Sequence, residues 1–315
     1  MNLNSNLKNL SGDASFRKFY RNKKKNSIIV FAEKEKKNNL LIYDGINQIL
    51  LKNKINAPKL IKEKYYQNYI EIEDLGNNTI LDKVSNNNKI YYYYKILELL
   101  KKLQRITDKK INTFNNSKYT IPKYTKKKLF NESKLFLDWY LPKKIKKSKQ
   151  KFLKKKLKSI FLDLLGKLEI KKKVFVHRDF HISNMMLYNK KIYLIDSQDA
   201  VYGNIAYDLA SLIDDVRYKT TKKEKNNIFN KYVSLSKSIN ANKLKNDLEI
   251  LSVMRNIKII GIFTRLSERD GKNKYLKLVP RAWNLIEQRI NKNHNFKNLK
   301  DILDRYFPQK KRKLI

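Results

Sequence analysis

Residues 174–208, VFVHRDFHISNMMLYNKKIYLIDSQDAVYGNIAYD, constrain this chain more than any other stretch. They open on the run 174–176, whose β-branched and aromatic residues are those of a buried strand. A polar loop over 177–184 follows. Two further apolar runs, 185–188 and 192–195, flank Asn189 and Lys190, which read as a hairpin turn. Asp179 and Asn184 then lie on the loop and Asp196 just past the second strand, and the hairpin folds the three into one neighbourhood. Two of the chain's three histidines, His177 and His181, fall in the same loop.

Such a trio does a narrow range of chemistry. Asn184 and Asp196 offer hard oxygen ligands, few in number, of the kind Mg²⁺ takes while keeping waters and phosphate oxygens. Asp179, five residues before Asn184, is placed to accept a proton from an attacking hydroxyl. Asp-x4-Asn followed by a strand-end Asp is the spacing of phosphoryl-transfer catalytic loops. His177, at the strand exit, is expected to be packed and hydrogen-bonded rather than to titrate. His181 stays open between a substrate contact and a structural role, and Asp199 between a third metal-shell carboxylate and a cap. Asp208, ahead of an apolar helix, is expected to brace the loop. A rival reading takes His177, Asp179 and His181 as an H-x-D-x-H metal cluster, since alternate residues of an extended segment face one way. Against it, the remaining histidine, His294, lies in a distant polar segment, and borderline metals draw on more nitrogen and sulfur ligands than this.

The formal net charge of +43 would suit nucleic acid or an anionic membrane surface. Lysine far outnumbers arginine, however, and is spread along the whole chain, so solvated lysine faces are the expectation. In the most basic run, 143–158, Phe152, Leu153 and Leu157 keep helical spacing, and the lysines read as the wet side of a helix. With no cysteine there are neither disulfides nor thiolate metal sites. The opening MNLNSNLKNL lacks the apolar core of a signal peptide, and no run approaches a membrane span. A soluble cytoplasmic monomer is expected, with no membrane insertion and no specific nucleic-acid partner.

At 315 residues the chain fits one large domain or two lobes. Ser11, Gly12 and Asp13 form a turn ahead of a strand over 16–21, and a basic turn leads to a second strand over 27–32. A glycine-containing turn with cations after it is suited to covering nucleotide phosphates, although one glycine is no fingerprint and ordinary hairpins use such turns too. A helix over 39–54 and strands at 60–61 and 69–72 complete a small sheet, which closes at Glu73-Asp74-Leu75-Gly76. Beyond residue 78 the pattern is helical, over 90–106, 128–141, 151–168, 206–216, 223–237, 242–266, 272–290 and 299–307. Tyrosines 91–94 read as core and rim of a helix rather than a platform for stacking bases. The span 109–125 is loop-like and the tail QKKRKLI frayed. The class is α+β, with lobes over 1–78 and 79–315.

At HRDFHISN followed by LIDSQDAVYGNIAYDLASL, the chain resembles the aminoglycoside phosphotransferase family of kinase-like enzymes. SGDASFRKFYR, IEIEDLGNNTIL and RLSERDGKNKYLKLVPRAW (265–283) resemble more specifically the bacterial anomeric kinases of N-acetylmuramate and N-acetylglucosamine. The likeness spans nearly the whole chain. It implies a bilobal protein-kinase-like fold, with a small antiparallel-sheet lobe that binds nucleotide and a larger, mainly helical lobe for catalysis and substrate. It makes Asp179 the base and Asn184 and Asp196 the Mg²⁺ ligands. Gly12, Asp13, Ser15, Phe16, Arg17 and Lys18 become the nucleotide loop, and Glu73, Asp74 and Leu75 the hinge beside adenine. His181, Arg265, Asp270 and Tyr275 become substrate contacts. Two departures stand out. The strand over 27–32 holds no lysine for the phosphates, which leaves Lys18, Arg17 or Lys34 to substitute. Asp196 is followed by Ser197-Gln198 where protein kinases have Phe-Gly, which fits small-molecule kinases better.

The resemblance thus implies ATP and Mg²⁺ as cofactors and an amino sugar as acceptor, yielding a sugar 1-phosphate in cell-wall sugar recycling. The alternatives are a kinase for another hydroxyl compound (aminoglycoside, choline or homoserine), or a basic nucleic-acid-binding protein on an inactive kinase fold.

Overall fold

The computed structural model describes residues 7–10, 16–236, 238–291 and 293–313. They fall into two compact units, each built from two segments: Met1–Lys123 with Val174–Tyr202, and Tyr124–Lys173 with Gly203–Ile315.

The first unit is organised on an antiparallel sheet of five strands: β1 (Leu7–Leu10), β2 (Lys18–Asn22), β3 (Ser27–Phe31), β4 (Leu60–Lys64) and β5 (Tyr69–Glu73), in the order β1-β2-β3-β5-β4. The most apolar segment, SIIVF, takes the central position, where both faces are covered. Ile28 pairs with Ile72 and Val30 with Ile70. These four pack with Leu40 and Tyr43 of helix α1 (Asn38–Lys52). β1, which was not expected, is a short edge strand whose middle residues Lys8 and Asn9 are exposed, so it carries no alternation to read.

After β5 come α2 (Ile80–Lys83), opened by a Thr79–Asp82 capping box, and α3 (Lys89–Leu103). α3 buries Tyr93, Ile96, Leu97, Leu100 and Leu103 at helical spacing, and Tyr91 lies on its exposed side. The residues expected as a loop contain a small hairpin, β6 (Lys110–Asn112) and β7 (Lys118–Thr120), with Asn116 in the left-handed region. Strands of three residues are too short for periodicity to reveal. A lobe boundary near residue 78 lies inside this unit, between β5 and α2.

In the second unit α4 (Lys126–Leu135) gives way to a π-helical turn, Phe136–Tyr140, before α5 (Leu141–Lys144) and α6 (Lys147–Gly166). One regular helix over 128–141 was expected. Pro142 supplies the reason: it lacks an N–H and its ring crowds the carbonyl four residues back, so the preceding turn widens. The widened turn keeps Phe136 and Tyr140 in a buried aromatic group with Trp283 and Phe307, with ring centroids 5.1–6.0 Å apart. The Trp283 Nε1–H donates to the Tyr140 hydroxyl at 3.0 Å, and burial pushes that phenol up to about 12. In the run 143–158, Leu153 and Leu157 are buried as expected of a helix face, but Phe152 is exposed.

β8 (Lys173–Val176), β9 (Met185–Tyr188) and β10 (Lys191–Leu194) belong to the central stretch, and β11 (Val201–Asn204) leads out of it. The helices that follow are α7 (Ala206–Ile213), α8 (Lys222–Ser234), α9 (Ala241–Asp270), α10 (Val279–Ile290), α11 (Lys297–Tyr306) and α12 (Gln309–Lys313). α9 runs four residues past the expected end. Gly271, at φ 65°, closes it, with the Lys272 N–H reaching the Leu266 carbonyl. Within the expected frayed tail, the described residues 309–313 form helix α12. Arg312 is buried and donates to Glu287, Asp304 and the Phe307 carbonyl, with its guanidinium 5.2 Å from the Trp283 ring centre. No described helix is long and apolar enough to cross a membrane.

Gly261 marks a close backbone approach in this unit: a Cβ there would overlap the Leu135–Phe136 backbone. Gly261→Ala should cost at least the 1–3 kcal/mol typical of overpacking, roughly, because backbone cannot yield as a side chain does. Gly166→Ala, with open space around it, should stabilise slightly. Thermal unfolding of the two variants checks the contrast.

Candidate active site

The site begins with the β9–β10 hairpin. Its register pairs Met185 with Leu194 and Tyr188 with Lys191, and Asn189 and Lys190 turn the chain with φ of 47° and 60°. Two successive positive φ values define the type I′ turn that matches strand twist. The pairing extends one step beyond the strands, where the Ile195 N–H donates to the Asn184 carbonyl at 3.1 Å. Asn184 and Asp196 therefore emerge side by side at the open end of the hairpin. The hairpin is itself fastened within the first unit: the Leu187 N–H donates to the Asn78 carbonyl, and the Leu194 N–H to that of Asn56.

Apolar anchors shape the loop between β8 and β9. Phe180 and Ile182 are fully buried, whereas Asp179 and Asn184 are half-buried. The Asp179 carbonyl accepts from the His181 N–H and from the Asn184 Nδ2, both at 3.1 Å. That second bond orients the Asn184 amide and leaves its Oδ1 as the atom that could hold a metal. His181 is buried, with its Nδ1 3.2 Å from the Ser183 hydroxyl. His177 is fully buried, and burial holds its pKa below the ordinary 6.5, against the opposing pull of Asp179 and Asp196. A neutral, packed imidazole fits the expectation for it.

Besides the two turn residues, Arg178, at φ 75°, and Asp196, at φ 61°, occupy the left-handed region without being glycine. Such backbone costs of order 1–3 kcal/mol and persists only where surroundings enforce it. Arg178 lies 3.6 Å from Asp199, an exposed carboxylate that also accepts from Gln198. Asp196 Oδ1 accepts from Arg17 Nη2 at 2.7 Å and from Gln198 Nε2 at 3.1 Å, so Oδ2 is the oxygen left for a cation. Two oxygen donors of this kind suit a hard ion that keeps most of its shell for water and phosphate. The Arg17 side chain is 3% exposed and rests over the rings of Phe19 and Tyr43. Burial pushes the Tyr43 phenol up to about 12, with Arg17 pulling it down. Ser197 donates to Asn47 on the same helix, which ties α1 to the segment after Asp196.

The structure thus brings Asp179, Asn184, Asp196 and Arg17 together in the first unit. Lys18 and Lys34, the other candidate phosphate cations, are exposed, and Phe16 is half-covered by Lys36. Gly12, Asp13 and Ser15 lie outside the described residues. At the expected hinge, the Asp74 carboxylate is gripped by Nε and Nη2 of Arg21 and by the Gly76 N–H, the Glu73 side chain accepts from the Lys59 N–H, and Leu75 is buried. Arg265 is half-buried, Asp270 is exposed and bonded twice by Arg269, and Tyr275 is buried against Phe263; all three cluster at the C-terminal end of α9 in the second unit. Asp208 is buried in the first turn of α7. Among the described residues no three His, Cys, Asp or Glu side chains converge to hold a metal, which removes the support for the H-x-D-x-H cluster. Sequence reasoning passed over Gln198, Tyr43, Asn47 and Arg21. Gln198, two residues beyond Asp196, was the one with a positional signal.

A family model described as "Phosphotransferase enzyme family" matches residues 6–232. An N-acetylmuramate/N-acetylglucosamine kinase of Pseudomonas aeruginosa is 26% identical over 303 residues, covering 93% of this chain and 86% of that one. Among solved structures, an ADP-bound aminoglycoside phosphotransferase APH(2'')-Ib superposes with TM-score 0.61 at 16% identity, over 92% of this chain and 94% of the other. A choline/ethanolamine kinase family protein from Mesorhizobium loti superposes with TM-score 0.64 at 11% identity, over 94% and 92%. Likeness at these identities shows the shared α+β fold.

A base whose folded pKa is depressed stabilises the fold fully above its unfolded pKa, and that stability is lost as pH falls. Melting temperature should therefore decline as pH drops below about 6.5, the unfolded value. His177→Gln, which cannot take up the proton, should flatten the decline in a pH series of unfolding curves.

Proposed function

Because this chain belongs to the phosphotransferase enzyme family, we propose that it transfers the γ-phosphoryl group of ATP to the anomeric hydroxyl of N-acetylmuramate or N-acetylglucosamine. The observation that carries the reading is the assembly of Asp179, Asn184 and Asp196 around one hairpin end, with the Arg17 guanidinium 2.7 Å from Asp196. The relatives at 26% identity over nearly the whole chain support the choice of acceptor.

In this reading Asp179 accepts the proton of the acceptor hydroxyl as the new O–P bond forms. The bond from the γ-phosphorus to the bridging oxygen breaks, and its electron pair leaves with ADP. An anomeric hydroxyl is more acidic than an ordinary alcohol, so a carboxylate suffices as a late proton acceptor. Mg²⁺, when bound through Asn184 Oδ1 and Asp196, supplies charge neutralisation and alignment of the phosphates. Arg17 takes the place of the lysine that β3 lacks, while Gly12, Asp13, Ser15, Phe16 and Lys18 line the nucleotide loop and residues 73–75 the hinge. Residues 1–78 would then serve the nucleotide, and 79–315 catalysis and substrate.

Asp179→Asn should lower turnover by about 10²–10⁴-fold while nucleotide still binds, since it removes only the proton acceptor. Asp196→Ala should weaken Mg·ATP binding itself, measured by calorimetry. A transfer screen of amino sugars, an aminoglycoside, choline and homoserine with Mg·ATP, with NMR locating the carbon that gains phosphate, tests the acceptor. Phosphate on an oxygen other than the anomeric one, or transfer only to the non-sugar acceptors, overturns the assignment.

A further inference from the structure

Gln198 lies two residues beyond Asp196, within the first unit, and is 6% exposed. Its carboxamide nitrogen carries two hydrogens, and both go to carboxylates. Nε2 donates to Asp196 Oδ1 at 3.1 Å and to Asp199 Oδ2 at 3.3 Å. The oxygen of the same amide, Oε1, is buried with no hydrogen-bond partner among the described residues. A buried acceptor without a donor is costly, and native proteins keep few of them. The opposite flip of the amide would cost more, because it would set Oε1 against two carboxylates. The side chain thus gives up its acceptor in order to donate, and the proposed chemistry assigns that donor no task.

Three features direct its effect to Asp196 rather than to Asp199. The Asp199 side chain is 56% exposed and has Arg178 at 3.6 Å, so water and a cation already serve it. The chain between Asp196 and Gln198 is anchored: Ser197 is fully buried, and its hydroxyl donates to Asn47 of α1 at 2.7 Å. Asp196 takes both of its bonds on one oxygen, Oδ1, from Arg17 and from Gln198, and these remove the rotation left to the carboxylate. Of the two donors, Arg17 has other work, at the nucleotide phosphates. When Arg17 turns to them, Gln198 is left to hold Oδ1. As a neutral donor it also leaves the carboxylate its full charge for a cation.

We infer that Gln198 is a positioning residue for the metal: it acts through Asp196, fixing Oδ1 so that Oδ2 is presented to Mg²⁺ even when Arg17 is engaged elsewhere. The inference rests on the kinase reading and extends it to a residue that is neither base nor ligand.

The test measures ADP binding by calorimetry, in EDTA and in saturating Mg²⁺, for wild type, Gln198→Met, Asp196→Ala and the double variant. The quantity read is the factor by which Mg²⁺ tightens ADP. Gln198→Met keeps nearly the same length without the donor. It should cut this factor about 3–10-fold, the cost of ordering one loosened side chain, while metal-free ADP affinity stays within about twofold of wild type. In the Asp196→Ala background the same change should do nothing further, which is the signature of acting through Asp196. The melting temperature of metal-free Gln198→Met should match wild type, since water reaches both carboxylates that lose a donor. Gln198→Leu repeats the measurement if Gln198→Met folds poorly. An unchanged Mg²⁺ factor, an equal loss with and without metal, or a further loss in the double variant overturns the assignment and leaves the kinase reading intact. If Mg²⁺ does not tighten ADP on wild type, the metal assignment itself fails, and that of Gln198 falls with it.

Discussion

The candidate site depends on a short series of backbone hydrogen bonds that carry a hairpin past its own strands. The bond from Ile195 N–H to the Asn184 carbonyl is the last rung of that ladder, and it sets the spacing of the two metal-ligand candidates. The bonds from Leu187 and Leu194 to Asn78 and Asn56 fasten the same hairpin to the connections that flank the sheet. Each is worth only about 1 kcal/mol net, yet together they leave the hairpin a single register. The strain at Arg178 and Asp196 is tolerable because that frame does not yield.

Arginine and lysine divide the work in this strongly basic chain. Lysine coats the surface, as on the outer side of α6, and contributes charge without architecture. Several of the scarcer arginines are drawn inward: Arg17 to Asp196, Arg21 to Asp74, Arg289 to Asp214, Arg312 to Glu287 and Asp304. A planar guanidinium keeps several donors directed at once and desolvates at lower cost than an ammonium, so it suits these half-dry pairings. The formal net charge thus reports mainly on the lysine-clad surface and says little about the interior pairings.

Much of this was legible in the sequence, for identifiable reasons. The SIIVF and IEIE runs announced paired strands, the apolar stripe of α3 announced a helix, and Asp-x4-Asn with a strand-end Asp marked the loop and hairpin together. The features that stayed hidden were set by contacts remote in the chain. β1 forms because β2 offers it an edge, the π turn because Pro142 follows it, and α12 because Arg312 finds three partners. The family resemblance left Arg17 as one of three possible phosphate cations. Only burial over the rings of Phe19 and Tyr43, with Lys18 and Lys34 left in solvent, separates it from the other two.

Neither compact unit is continuous in the chain, and this bears on how the protein is made. The first cannot finish its hairpin and loop until residue 202 has left the ribosome, by which time residues 124–173 of the second are already out and waiting. The second cannot seal the aromatic group around Trp283 until Phe307 and Arg312 arrive. The nascent chain therefore carries unfinished apolar faces through most of its synthesis, and a dense coat of lysine keeps neighbouring chains on a polysome apart during that interval.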